Sequence, residues 1–246
     1  MAGRWSGIGL TDMPPPRVAI VAAMEREVGP LFKNWRRREA PEALNGAACH
    51  LSIFEGKVGF LVVGGIGAAA AGRAARLALE LASAEVLVSA GSAGALKPEL
   101  KVGDIVRPAT VIDAATGARF VSQGGKGTLV TSGAILGPQE KKEAASRFAA
   151  DAVDMEAAAV AAVAQERGVG FLAIKAISDE LDFVLPPINQ FVDSDGQFQT
   201  GRFVRYLALR PRWWAPVKRM AADSKRAAAN LCAALEGLEL DVKSVK

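Results

Sequence analysis

Residues 57–82 read KVGFLVVGGIGAAAAGRAARLALELA. The apolar run ending at Val63 meets Gly64-Gly65-Ile66-Gly67, and helix formers with a leucine and alanine face follow without a linker. A strand, a glycine turn and a helix in direct succession are the unit of an α/β domain. The alanines favour the helix and permit close packing. Upstream, residues 17–23 read as a strand and 24–35 as a helix. Downstream, 85–90 reads as a strand that ends in the turn Gly91-Ser92-Ala93-Gly94. Residues 104–111, after the turn signal Gly103, and 128–131 are further strand candidates. Residues 154–167 form a helix stopped by Gly168, and 171–177 is the last clear strand. From 183 to about 216 the periodicity breaks at prolines, and 217–238 is the closing helix.

The chain has 246 residues, of which 50% are hydrophobic and 23% charged. That is long enough for one sizeable core and too apolar for a disordered chain. With aromatics at 6%, alanine, valine and leucine must fill the core. Cys49 and Cys232 lie far apart and are expected to be reduced. With one histidine, His50, and no CxxC or HxxxH spacing, no zinc ligand set exists, and neither metal nor cofactor is expected. Residues 1–16 lack the apolar core of a signal peptide and are expected to be a disordered leader. The charge-free stretch between Lys57 and Arg73 is broken by glycines and too short for a membrane span. The expectation is a soluble, cytoplasmic protein with one domain over 17–246.

The net charge of +4 is unevenly spread. From residue 201 onward there are ten Lys and Arg against four Asp and Glu, so the basic character belongs to the tail. No recognition helix or basic patch with stacking aromatics is visible in the body, which argues against nucleic acid as a partner. Arg36-Arg37-Arg38 reads as a solvated helix end, and His50 as a strand-edge residue without a role.

In open α/β sheets, ligands bind outside the carboxyl ends of the strands. The polar residues at those ends are Glu25 and Glu27, the glycines after Val63, Ser92, and Ser178 with Asp179. Met155 and Glu156 open a helix instead, whose positive end is expected to keep the Glu156 carboxylate ionised. Gly65-Ile66-Gly67 invites a dinucleotide reading. That reading needs an acid about 20 positions on, where the next strand ends in Ser89-Ala90-Gly91.

Five segments in order, VAIVAAMEREV (18–28), GGIGAAAA (64–71), VSAGSAGALKPELKVGDIV (88–106), VDMEA (153–157) and AISD (176–179), resemble the signature segments of methylthioadenosine/S-adenosylhomocysteine nucleosidases of the nucleoside phosphorylase superfamily. The resemblance implies a three-layer αβα sandwich around a mixed central sheet, a homodimer, and cleavage of a purine nucleoside's N-glycosidic bond. By motif, Asp179 is the acid that protonates the purine N7. Glu156 grips the ribose hydroxyls with Met155 packed on the sugar, and Glu27 orients the attacking water beside Ser92. Ala23, Gly91 and Ser178 fall at the same strand ends. Crowding of three carboxylates is expected to raise at least one pKa and keep Asp179 protonated.

Phosphorylases of the superfamily hold phosphate with cations, one of them an arginine where this chain has Ser89. An acidic AMERE segment repels phosphate, so hydrolysis is favoured. This chain also departs from the nucleosidases. The arginine before AISD is Lys175, a point charge without the planar fork, and the aromatic that stacks on the base falls at Leu136. After AISD comes a variable segment, 181–216, with Phe191, Phe198, Phe203, Tyr206, Trp213 and Trp214 among four arginines. The short middle, VDMEA and this tail are more similar to the hopanoid-associated branch, which removes adenine from adenosylhopane. An aromatic and basic surface over 198–216 suits contact with lipid headgroups. The alternative is that the tryptophans pack the last helix onto the core.

Overall fold

The computed structural model describes residues 18–39, 51–56 and 59–241. The expected leader, Cys49 and His50 lie outside the described residues. Strand β1 (Val18–Ala22) shows how the core is made. All five residues are buried, but alternate ones face opposite sides: Ala19 and Val21 enter one apolar cluster, and Val18, Ile20 and Ala22 another. Such a strand must have a helix layer on each face.

The chain continues through α1 (Glu25–Val28) and a 3₁₀ segment (Gly29–Asn34), then β2 (Arg36–Arg38), β3 (Ser52–Glu55), β4 (Gly59–Val63) and α2 (Ala68–Leu81). The central β5 (Val86–Ala95) is followed by β6 (Ile105–Val106), β7 (Thr110–Asp113), β8 (Arg119–Val121) and β9 (Thr128–Thr131). Next come α3 (Pro138–Phe148), β10 (Ala152–Asp154), α4 (Ala157–Arg167) and β11 (Gly170–Asp179), and finally α5 (Thr200–Ala208) and α6 (Trp214–Asp241). The described strands form one mixed sheet in the order β2-β3-β4-β1-β5-β10-β9-β7-β8, with β11 beside β5 and β6.

Helices α2 and α4 cover one face, meeting through alanines such as Ala74, Ala78, Ala161 and Ala164. On the other face, Val28 of α1 and Ala227, Leu231 and Leu235 of α6 close the second cluster. The buried free thiol of Cys232 donates to the Glu27 carbonyl at 3.7 Å, tying α6 to α1. Ala144 of α3 seals a third cluster with Ile112, Val130 and Val153. The architecture is the expected three-layer α/β sandwich with a mixed central sheet. No helix among the described residues is long and apolar enough to cross a membrane.

Four local expectations are corrected. Gly91–Gly94 is not a turn: β5 runs on to Ala95 because β11 pairs with it along its length and β10 pairs antiparallel with Gly94 and Ala95. Tertiary pairing overrides the glycines' preference for a turn. Arg36–Arg38 is an edge strand on β3, not a helix end, with all three arginines exposed. Charge on an edge discourages further strand addition. Residues 104–111 split into β6 and β7 around Pro108, which has no ladder donor. Asp154 belongs to β10, and α4 begins only at Ala157. Helices α3 and α5 had no counterpart in the sequence reading.

Candidate active site

The first cluster forms around Gly91. As β1 ends at Ala22, the chain turns through buried Ala23, whose carbonyl accepts the Gly65 amide at 3.0 Å. The single turn α1 then carries Glu27 inward to 5% exposure. Its carboxylate accepts the amides of Met24 at 3.1 Å and of half-buried Ser92 at 3.0 Å. A Cβ placed on Gly91 would lie 3.6 Å from both Glu27 carboxylate oxygens and from Lys175 Nζ. Thus Glu27 and Lys175 meet over a strand position without a side chain.

Lys175, on β11, is 1% exposed, and its ammonium lies 2.8 Å from Asp154 Oδ2. Asp154 also accepts the Thr131 hydroxyl at 2.7 Å and the Ala157 amide at 2.9 Å, and Thr131 Oγ1 accepts the Ala158 amide. These two residues serve the α4 N-terminus, which leaves Glu156 to other donors. Its carboxylate accepts the Gly67 amide at 2.8 Å and that of half-buried Met155 at 3.2 Å. Burial above all, then the Asp154 charge, raises the Glu156 carboxyl to about 7. Lys175 and the Gly67 amide oppose that rise, and Glu27 adds to it. Desolvation and like charge thus work against the expected hold of the helix end on an ionised Glu156. Burial pulls Lys175 down, but Asp154, Glu156 and Glu27 outweigh it and hold its pKa above the usual lysine value.

The second cluster lies three residues further along β5, about 10 Å at the rise of a strand. A regular ladder would set Ser178 opposite Gly94. A bulge after Ile177 puts Asp179 there instead, as bulges re-aim side chains next to sites. Asp179, 9% exposed, accepts the Ser178 hydroxyl on Oδ1 at 2.8 Å. Its Oδ2 is held by Lys141 of α3, whose ammonium also donates to the Glu180 carbonyl at 2.8 Å. Carboxylate crowding acts on Glu156, and the paired neighbour of Asp179 is a cation.

The sequence reading missed Lys141 and Asp154. The signal for Lys141 was available: Pro138 and Glu140 open a helix, and Lys141, Ala144 and Phe148 fall on its inward side at spacings of three and four. Leu136 is half-buried against the cluster of Ile112, Val130 and Val153. Hydrogen bonds tie the variable segment to residues near the site. Ile135 and Asn189 exchange hydrogen bonds of 3.1 and 3.2 Å, and the Ile66 amide donates to Gly196 at 2.8 Å. Just past Asp179, a groove of about 580 Å³ is lined by Leu181, Phe183, Val184 and Pro216, with two acids, Glu180 and Asp182, and two bases, Lys101 and Arg219.

The model of the phosphorylase superfamily matches residues 17–127 and 115–200, which include both clusters. The chain belongs to that superfamily. As a phosphorylase-superfamily member it is 28% identical over 197 residues to a 5′-methylthioadenosine/S-adenosylhomocysteine nucleosidase of Marinomonas sp. (strain MWYL1), covering 66% of this chain and 85% of the relative. Its fold resembles the apo 5′-methylthioadenosine nucleosidase of Arabidopsis thaliana, with a TM-score of 0.66 at 16% identity over 91% of this chain and 96% of that one. The futalosine hydrolase of Helicobacter pylori superposes with a TM-score of 0.62 at 15% identity over 91% and 98% of the two chains. In this superfamily member, the matched segments hold Glu27, Gly67, Gly91, Glu156, Lys175 and Asp179.

Proposed function

We propose that the protein hydrolyses the N-glycosidic bond of a purine nucleoside. The observation that carries this reading is the charge around Gly91: the Glu27, Asp154 and Glu156 carboxyls face one ammonium, Lys175. As the base leaves, the sugar gains oxocarbenium character, and net negative charge stabilises it. The same charge repels phosphate, and Lys175 is already engaged by Asp154, so water is the favoured nucleophile. Glu27 takes the proton of the attacking water, Glu156 binds the ribose hydroxyls beside Met155, and Asp179 protonates N7 of the leaving base. Similarity to a methylthioadenosine/S-adenosylhomocysteine nucleosidase supports this reaction class.

The favoured substrate is an adenosyl-lipid such as adenosylhopane, with methylthioadenosine or S-adenosylhomocysteine as the alternative. Supporting the lipid is the groove just past Asp179, whose lining is mostly apolar with the charged Lys101, Arg219, Glu180 and Asp182 among it. Trp214 is 57% exposed and does not pack the last helix onto the core; its Nε1 donates to the Leu207 carbonyl at 2.9 Å. With exposed Val204, Leu209, Arg202 and Arg205 it forms an apolar and basic surface suited to a membrane face. A cytoplasmic homodimer acting at the inner membrane surface completes the proposal.

The test is adenine release in phosphate-free buffer from methylthioadenosine and from an adenosine with a long apolar 5′ chain. The apolar nucleoside is expected to be the better substrate. Trp213→Ala with Trp214→Ala is expected to lower kcat/KM for it about tenfold, the worth of some 1.4 kcal/mol, and to spare methylthioadenosine. Equal losses on both would return the tail to a structural role, and release only with added phosphate would make the enzyme a phosphorylase.

A further inference from the structure

Two lysines are buried to 1% exposure among the described residues, and the chemistry above uses only Lys175. The other, Lys141, comes from a separate layer. It leaves the inward face of α3, which it shares with Ala144 and Phe148, to reach Asp179 Oδ2 and the Glu180 carbonyl. Its neighbour Lys142 pairs at the surface with Asp182 at 2.7 Å, and Arg219 lies 4.0 Å from Glu180. The backbone makes room for the buried pair. A Cβ on Gly94 would stand 3.1 Å from Asp179 Oδ2, 3.1 Å from Lys141 Cε and 3.3 Å from its Nζ. A bulge, a glycine and a buried ammonium from three places in the chain thus converge on one carboxylate oxygen.

Stability alone does not account for this arrangement. A buried ion pair is often no better than apolar residues of the same volume, because desolvation offsets the attraction. What the pair does provide is orientation. We infer that Lys141 is a positioning residue for Asp179: it fixes Oδ2 so that Oδ1 is the oxygen presented to the base. The inference rests on the reading of Asp179 as the acid. The transferred proton is then carried on Oδ1, where the Ser178 hydroxyl can turn to the Ala93 carbonyl, 3.4 Å away. As the C1′–N9 bond breaks with its electron pair going to the base, that proton passes to N7. The carboxylate left behind keeps the Lys141 ammonium on Oδ2 as its counter-charge, and water supplies the hydroxyl at C1′ as its other proton passes to Glu27.

The test is a double-mutant cycle of Lys141→Met and Asp179→Asn, with adenine release followed on the nucleosides named above. Lys141→Met is expected to lower kcat about 10²-fold, the cost of misplacing a reacting group, with KM changed less than about threefold. In the Asp179→Asn background the same substitution is expected to change kcat no further, since Lys141 acts through Asp179. The double variant buries no unpaired charge and serves as the folded control. Losses that multiply across the cycle, or a Lys141→Met variant with wild-type kcat, would overturn the inference. An active Asp179→Asn enzyme would instead bring down the assignment of the acid itself.

Discussion

Asp179→Asn is expected to slow base release by about 10²–10⁴-fold, the usual worth of a general acid. Asparagine keeps the shape of the side chain and can still accept from Ser178, but it has no proton to pass on. The loss should fall on kcat, because a purine leaves as an anion unless N7 is protonated. The substitution also leaves the Lys141 ammonium without its counter-charge, and breaking a buried pair from one side costs about 3–5 kcal/mol. Thermal melting alongside the kinetics separates the two effects. A variant that melts early yet turns over at the wild-type rate would show that the pair is structural and the acid lies elsewhere.

Glu156→Gln is expected to raise stability while lowering kcat/KM about 10²-fold, as loss of a group that orients the sugar does. The stability effect has a defined pH window. Burial and Asp154 raise this carboxyl from 4.5 to about 7, so the folded chain holds the proton more tightly than the unfolded chain. Between those values stability falls as pH rises, and above about 7 the whole cost of the buried charge is present. Wild type should therefore lose melting temperature between pH 5 and about pH 8, and Glu156→Gln should lose less. Parallel melting curves would mean that the raised group is not Glu156.

The alternation of strands, glycines and helices was legible because β1 and β4 are short unbroken apolar runs and α2 carries a one-sided face of leucine and alanine. The polar strand ends were legible too, since Glu25 and Glu27 come soon after the run 17–23 and Ser178 with Asp179 after 171–177, while Glu156 was read at a helix start. What stayed hidden depends on partners distant in sequence. Nothing within Gly91–Gly94 announces that β11 and β10 will hold it extended. Nothing within AISD announces a bulge. Asp154 looked like the first residue of a helix because the sequence cannot show that β9 pairs with it. Which cation faces each carboxyl depended on where Lys175 and Lys141 point, and they lie 19 residues from Glu156 and 38 from Asp179 in the chain.

The variable segment grips Ile135 through Asn189 and, seven residues on, Ile66 through Gly196. A strap fastened at two points gives the two amide protons of Ile66 and Ile135 a common fate. If substrate enters by lifting the strap as a whole, these protons should exchange with heavy water at one shared rate, although 69 positions separate them in the chain. A bound nucleoside should slow both together. Unequal rates would mean that the two points are released one at a time, and the one that lets go first would mark the doorway.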